Sequence, residues 1–112
     1  DVVLGPHVCI GAYCIIGTAS IGARTEIASR VSVLSGRHQH DFRENPETQG
    51  ESVFTEVRIG ERTWIGEGSI VMADVGDDCI VGAGSVVVKP IPSGSVAAGN
   101  PARIIRKRRD AV

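Results

Sequence analysis

Apolar and small positions recur along this chain with a period of six. An aliphatic residue followed by glycine appears at Leu4-Gly5, Ile10-Gly11, Ile16-Gly17, Ile21-Gly22, Ile59-Gly60, Ile65-Gly66 and Val81-Gly82, and most of these spacings are six. Ile27, Val33, Val71 and Val87 continue the count where glycine is replaced. The count slips twice, between Ile16 and Ile21 and between Val71 and Val75. Such a period fits neither an amphipathic helix, at about 3.6, nor a simple hairpin meander. It fits a short strand and a turn repeated around a coil, with the aliphatic residue pointing inward to stack on its counterpart in the next coil. Glycine at the bend permits close backbone approach. Small residues stand four positions after several aliphatics, as Cys14 does after Ile10 and Cys79 after Val75. Free cysteine packs as a small hydrophobe, so both are read as core fillers rather than reagents.

From residue 36 to 57 the period breaks, and Arg37, His38, Gln39, His40, Asp41 and Pro46 stand among acids and polars. An insertion of that length in a compact domain is usually functional or disordered. From Ile91 onward the pattern stops, with Pro90 and Pro92 marking the exit from the last coil. A short terminal helix is expected over 102–109. The reading is a single domain, with coils over 1–35 and 57–90, an extruded loop over 36–56 and a tail over 91–112. Asp1 already stands inside the running repeat, as expected of a chain cut from a longer one.

Composition narrows the function classes. Aromatics are only 4% while glycine reaches 14 residues, so branched aliphatics must fill the interior and β structure with many turns is favoured. A net charge of −1 argues against a general nucleic-acid or membrane binder. The charge is uneven: Arg103, Arg106, Lys107, Arg108 and Arg109 crowd one end, suited to a phosphate or to a solvated terminus, and the segment from Asp41 to Glu56 is acid-rich. Three cysteines without a CxxC indicate neither a disulfide framework nor a zinc ribbon, and a reducing cytoplasm is the simplest reading. No apolar run approaches the roughly 20 residues that cross a bilayer. Phosphate-loop and dinucleotide glycine motifs are absent, and Ser85 lies outside any G-x-S-x-G elbow.

Three stretches are the most specific: Ile59-Gly60-Glu61-Arg62-Thr63-Trp64-Ile65-Gly66, Ile80-Val81-Gly82-Ala83-Gly84-Ser85-Val86-Val87, and Ala98-Gly99-Asn100-Pro101-Ala102-Arg103. With the sixfold period they make the chain resemble the hexapeptide-repeat acyltransferases, which include the galactoside, maltose and serine acetyltransferases. The resemblance implies an all-β fold, a left-handed parallel β-helix with three hexapeptides to a triangular coil and about four coils, against the usual hand of parallel crossovers. It also implies transfer of an acetyl group from acetyl-CoA to a hydroxyl, or alternatively an amine, of a small acceptor such as a sugar, without a metal. The assembly it implies is a homotrimer with active sites between subunits.

By the same resemblance the loop reaches over the active site and His38, at its start, is the general base. An alcohol is a poor nucleophile until its proton is removed, and imidazole titrates in the right range. His40 and Asp41 are candidates on the acceptor side, and Asp41 or Glu26 for orienting the His38 ring. The pantetheine arm of the coenzyme would pass the small-residue turns at Gly66, Ala83 and Gly84, then Val88 and Lys89. Trp64 would be a packing anchor or a wall of that groove. Arg103 and Arg106 would meet the coenzyme's phosphates, a task suited to the planar guanidinium fork. His7, at a turn of the first coil, is read as a surface residue. Two other classes stay open: a zinc hydratase of the γ-carbonic anhydrase kind using His38 and His40, and a non-catalytic scaffold.

Overall fold

One inward aliphatic per six residues leaves room for only two or three extended residues before each bend. In the computed structural model, which describes residues 1–35 and 55–109, the chain forms thirteen strands accordingly. They are β1 (Val2–Leu4), β2 (Cys9–Ile10), β3 (Ile15–Ile16), β4 (Ala19–Ile21), β5 (Glu26–Ile27), β6 (Ser32–Val33) and β7 (Val57–Ile59). Then come β8 (Trp64–Ile65), β9 (Ile70–Val71), β10 (Ile80–Val81), β11 (Val86–Val87), β12 (Ser95–Gly99) and β13 (Ala102–Lys107). Up to β12 successive strands go to different sheets: β1-β4-β7 in sheet 1, β2-β5-β8-β10-β12-β13 in sheet 2 and β3-β6-β9-β11 in sheet 3. All pairs up to β12 are parallel, so the chain winds around a three-sided prism. Among the described residues no helix is long and apolar enough to cross a membrane.

The repeat read from the sequence supplies the core. Ile21, Ile27, Val33, Ile59, Ile65, Val71, Val75, Val81 and Val87 are all buried. In the first coil Leu4 and Ile10 are exposed, because no described coil covers that end. Both slips have a structural cause. Ile21 lies opposite Leu4 after seventeen residues and Val75 opposite Ile59 after sixteen, where three full hexapeptides would take eighteen. The missing residues fall at the corner leading from sheet 3 back to sheet 1.

Corners are built from two recurring positions. Three residues after the inward aliphatics on the sheet 1 and sheet 2 sides the backbone turns through positive φ: His7, Tyr13, Arg24, Arg30, Arg62 and Asp78 do so at 52° to 61°, and Gly68, Gly84 and Gly94 at 70° to 76°. Non-glycine residues adopt that conformation at a cost of about 1–2 kcal/mol, so the stacked neighbours must over-determine each bend. One residue further on, a small side chain folds inward and bonds the coils together. Thr25 Oγ1 donates to Gly60 O at 2.6 Å and accepts from Thr63 N at 3.1 Å. Thr63 Oγ1 repeats this, donating to Gly76 O at 2.7 Å and accepting from Cys79 N at 3.1 Å. Cys79 Sγ ends the column on Pro92 O at 3.2 Å.

Two expectations about the tail are corrected. The coils do not end at Pro90: Ile91 bridges Val75, and Val96 and Ala97 pair with Ile80 and Val81. The two prolines merely flank the single bridging residue, and Ile91 and Ala97 keep the inward positions, both buried. Nor do residues 102–109 form a helix; β13 returns antiparallel on β12. After the turn at Gly99, whose φ of 107° favours glycine, the β12 edge offers unpaired backbone groups, and β-branched Ile104 and Ile105 suit a strand that satisfies them. The insertion leaves the prism at the corner between sheets 3 and 1, where Thr55 N donates to Ser35 O at 2.9 Å across its neck.

Removing the corner hydroxyl without changing its volume isolates this bonding. Thr63→Val leaves buried Gly76 O and Cys79 N short of a partner and is expected to cost about 1–3 kcal/mol, read by urea unfolding, whereas Thr63→Ser keeps most of the stability.

Candidate active site

Strands with one residue in and one out divide their side chains between two tasks, and the candidate functional residues are those the coils turn outward. The small-residue candidates meet at the corner between sheets 2 and 3. There Ala83 stacks under Gly66, and a Cβ placed on Gly66 would lie 2.5 Å from the Ala83 nitrogen. Gly66 is buried, so its part is the close approach of the coils. Ala83 and Gly84 are exposed, and a side chain at Gly84 would meet nothing within 4 Å. The outer surface of this corner is therefore bare backbone over which an extended, flexible molecule can lie. Glu67, across from Ala83, reaches Arg30 at 3.8 Å in an exposed ion pair worth little by itself.

Val88 and Lys89 do not join that corner; they follow β11 at the next one, beside the neck of the insertion. A cavity of about 210 Å³ opens there, lined by Leu34, Ser35, Thr55, Glu56, Val57, Met72, Ala73, Asp74 and Pro90. Asp74 Oδ1 accepts from Arg58 N at 2.9 Å, and Glu56 pairs with Arg58 at 3.2 Å. His38, His40 and Asp41 lie outside the described residues. Among the described residues no three His, Cys, Asp or Glu side chains cluster as metal ligands. Glu26 stands on the outer face of sheet 2, a different face of the prism from the neck. Arg103 and Arg106 are exposed on β13, and Arg106 continues the outward row of sheet 2 opposite Val96.

Around Trp64 stand Arg24, Arg62, Asp78 and Ile80, to which the sequence reading gave no role, beside Glu26 and Arg108, which it named. Glu26 and Trp64 are register partners, and Trp64 in turn pairs with Ile80. At the adjoining corner Arg62 grips Asp78 in a two-pronged ion pair, Nε to Oδ1 at 2.8 Å and Nη2 to Oδ2 at 3.0 Å. Glu61 adds a second carboxylate at 3.0 Å. The hydrogen bond from Arg62 holds the Asp78 carboxyl below its ordinary range, helped by the charges of Arg62 and Arg108. Arg108 is tied in by its own backbone N–H to Gly94 O at 2.7 Å and by Nη1 to Arg62 O at 2.9 Å. The available signal was the spacing: Arg62 and Asp78 stand sixteen residues apart, one coil. Ser85 is structural, buried with Oγ donating to Gly82 O at 2.6 Å. His7 is exposed at its turn, as read. Cys79 is buried and Cys14 packs partly against the core, whereas Cys9 is exposed.

Comparison with known proteins gives the same outline. Residues 56–89 match the family model described as bacterial transferase hexapeptide, six repeats. The galactoside O-acetyltransferase of Escherichia coli K12 is 38% identical over 97 residues, covering 83% of this chain and 46% of that protein. The chain thus spans about half the length of the curated relatives it matches. Among solved structures, the polySia specific acetyltransferase NeuO superposes with a TM-score of 0.79 at 27% identity over 99% of this chain and 56% of its own. A variant of AntD, an N-acyltransferase from Bacillus cereus in complex with dTDP-4-amino-4,6-dideoxyglucose and coenzyme A, superposes at 0.85 with 24% identity over 98% of this chain and 65% of its own, a likeness of fold. The fold is the left-handed parallel β-helix that the resemblance implied.

The Arg62–Asp78 pair has a pH signature. A carboxylate held below its ordinary range contributes its stability above the unfolded value of about 3.9 and loses it as the pH falls through the lower folded value. The Asp78 carboxyl resonance is therefore expected to titrate below those of unpaired aspartates in carbon-detected NMR. In Arg62→Gln it should return toward about 3.9.

Proposed function

Since the chain belongs to the bacterial transferase hexapeptide family, we propose that it is the β-helix of an acyltransferase that moves an acetyl group from acetyl-CoA to a hydroxyl of a small acceptor such as a sugar. The observation that carries this reading is the bare corner at Ala83 and Gly84, lying between exposed arginines on β13 and the neck of the insertion. Its chemistry fits an acyl thioester carrier: open backbone for the pantetheine arm, Val88 and Lys89 toward the neck, and the guanidinium forks of Arg103 and Arg106 for the phosphates. Trp64, two residues before Gly66, borders the same corner.

Within this reading His38 takes the acceptor's hydroxyl proton as the oxygen attacks the thioester carbon. The carbon–sulfur bond breaks, and the imidazolium returns its proton to the departing sulfur. Asp41, a backbone carbonyl, or Glu26 of a neighbouring copy would fix the ring tautomer. His40 and Asp41 would face the acceptor. The corner assigned to the donor is convex, so enclosing a long donor there requires a second wall. That favours a trimer with each site between two copies, and excluding water there strengthens every electrostatic contact.

His38→Ala is expected to lower kcat by roughly 10²–10⁴-fold in a thiol-release assay with acetyl-CoA, leaving the β-sheet circular dichroism unchanged. An undiminished kcat removes His38 from the mechanism. The double variant Arg103→Ala with Arg106→Ala should raise KM for acetyl-CoA by tenfold or more, at roughly 1.5–3 kcal/mol for each charged hydrogen bond lost, with kcat little changed. Sedimentation is expected to give three times the mass of one chain, and a monomer at micromolar concentration would overturn the shared site.

A further inference from the structure

The groove on the outer face of sheet 2 shares Trp64 with the donor's corner and Glu26 with the candidates for orienting the base, and the rest of its lining has no part in either. It measures about 580 Å³ and is lined by Arg24, Glu26, Arg62, Thr63, Trp64, Asp78, Ile80 and Arg108, within the range of roughly 300–1,000 Å³ typical of small-molecule sites. Trp64 is the single tryptophan of the chain, and it stands 40% exposed on the groove floor. An indole left half in water offers a flat apolar platform. Ile80 extends that platform on the next strand.

The charged groups around it are not all spent on one another. Arg62 and Asp78 satisfy each other. Arg108 is anchored through one nitrogen to the Arg62 carbonyl, and its remaining donors have no partner among the described residues. Neither the Arg24 guanidinium nor the Glu26 carboxylate is engaged among the described residues. The lining therefore holds three cations and two carboxylates, and what stays available is two guanidinium groups, one carboxylate and an aromatic face.

We propose that this groove binds the ring of an anionic sugar, a sugar acid or sugar phosphate, as acceptor. The ring's apolar face would lie on Trp64, its anion on Arg24 and Arg108, and its hydroxyls would donate to Glu26. This rests on the acyl-transfer reading and names its acceptor class. Each part follows from the chemistry of the lining. A guanidinium fork matches a carboxylate or phosphate in charge and shape. An ionised carboxylate is acceptor-only and so takes hydroxyl protons. An uncharged flat ligand would cover Arg24 and Glu26 without pairing them, which is unfavourable. On its own chain this face lies away from the neck, so an acceptor held here would meet the thioester and His38 of a neighbouring copy, as the site shared between copies requires.

The test uses Trp64 itself, since its fluorescence has no competing tryptophan. The full chain is titrated, with no acyl donor present, with glucuronate, glucose 6-phosphate, glucose and coenzyme A separately. Glucuronate or glucose 6-phosphate is expected to change the emission saturably, and the one that does so more tightly identifies the anion. Glucose should bind at least about tenfold more weakly, and Arg24→Gln should weaken the anionic sugar by a similar factor, with Arg24→Lys recovering part of it. Glu26→Gln, which keeps the groove's shape, should weaken binding of glucose and anionic sugar alike. In the thiol-release assay Arg24→Gln should raise KM for the anionic acceptor with kcat within about twofold. Equal responses to glucose and glucuronate, an unchanged affinity in Arg24→Gln, or a response to coenzyme A alone would each overturn the proposal. Binding that is lost in Arg24→Gln while KM stays put would overturn the acceptor role. Because binding is read without a donor, failure of acyl transfer is a separate result from failure of the groove.

Discussion

Every coil of this prism depends on backbone groups at its corners finding partners in the next coil. Strand ladders pair the flat sides, but a bend turns carbonyls inward where water cannot reach, and an unpaired buried carbonyl is costly. A side chain at the fourth position after each inward aliphatic answers this at many corners: Thr25, Thr63 and Cys79 at one edge, Ser69 and Ser85 at another. Where it bonds, it is small enough to fit inside and carries a donor, whereas Val31 fills the same position with an apolar side chain. Beside these corners the coils approach so closely that a Cβ on Gly66 would collide with backbone.

That constraint makes the molecule rigid in the direction that matters for chemistry. Outward side chains are held at the strand spacing of about 4.8 Å along each sheet, so Glu26, Trp64 and Ile80 form a fixed row. Bends through positive φ set the corners with little freedom, and the exposed backbone at Ala83 and Gly84 is as fixed as the sheets beside it. At the two ends of the described coils the inward column is treated differently: the first coil leaves inward Leu4 and Ile10 exposed at 49% and 37%, while the last is closed by β13, which takes up the open edge of β12.

The repeat was legible because one physical demand, an inward aliphatic at each short strand, recurs often enough to stand above noise. Even its slips were readable, since Ile16 to Ile21 and Val71 to Val75 are shortened corners. The coil beyond Pro90 was not legible. Proline signals an ending, and only the pairing of Ile91 with Val75 shows that the ladder tolerates it there. Strand β13 was misread as helix for a related reason: Ile104 and Ile105 suit a strand, but it is the open edge of β12 that makes one there. Positive φ at Arg24, Arg62 and Asp78 left no trace either, because local propensity there is overridden by stacking.

The charge of the outer groove was hidden by the same winding that creates it. Arg24, Glu26, Arg62, Asp78 and Arg108 are scattered over most of the sequence, and in a chain of net charge −1 they attract no notice. Folded, they share one lining because one coil step, sixteen residues from Trp64 to Ile80 and thirty-eight from Glu26 to Trp64 where the coil carries the insertion, brings them to neighbouring levels. Strand alternation then separates two kinds of change. A substitution at an inward position disturbs stacking and corner bonding through several coils. One at Glu26, Trp64 or Arg24 alters only what the surface can hold. A single rigid scaffold can thus be fitted to different acceptors by its outward residues alone, so long as the inward column and its small corner partners are kept.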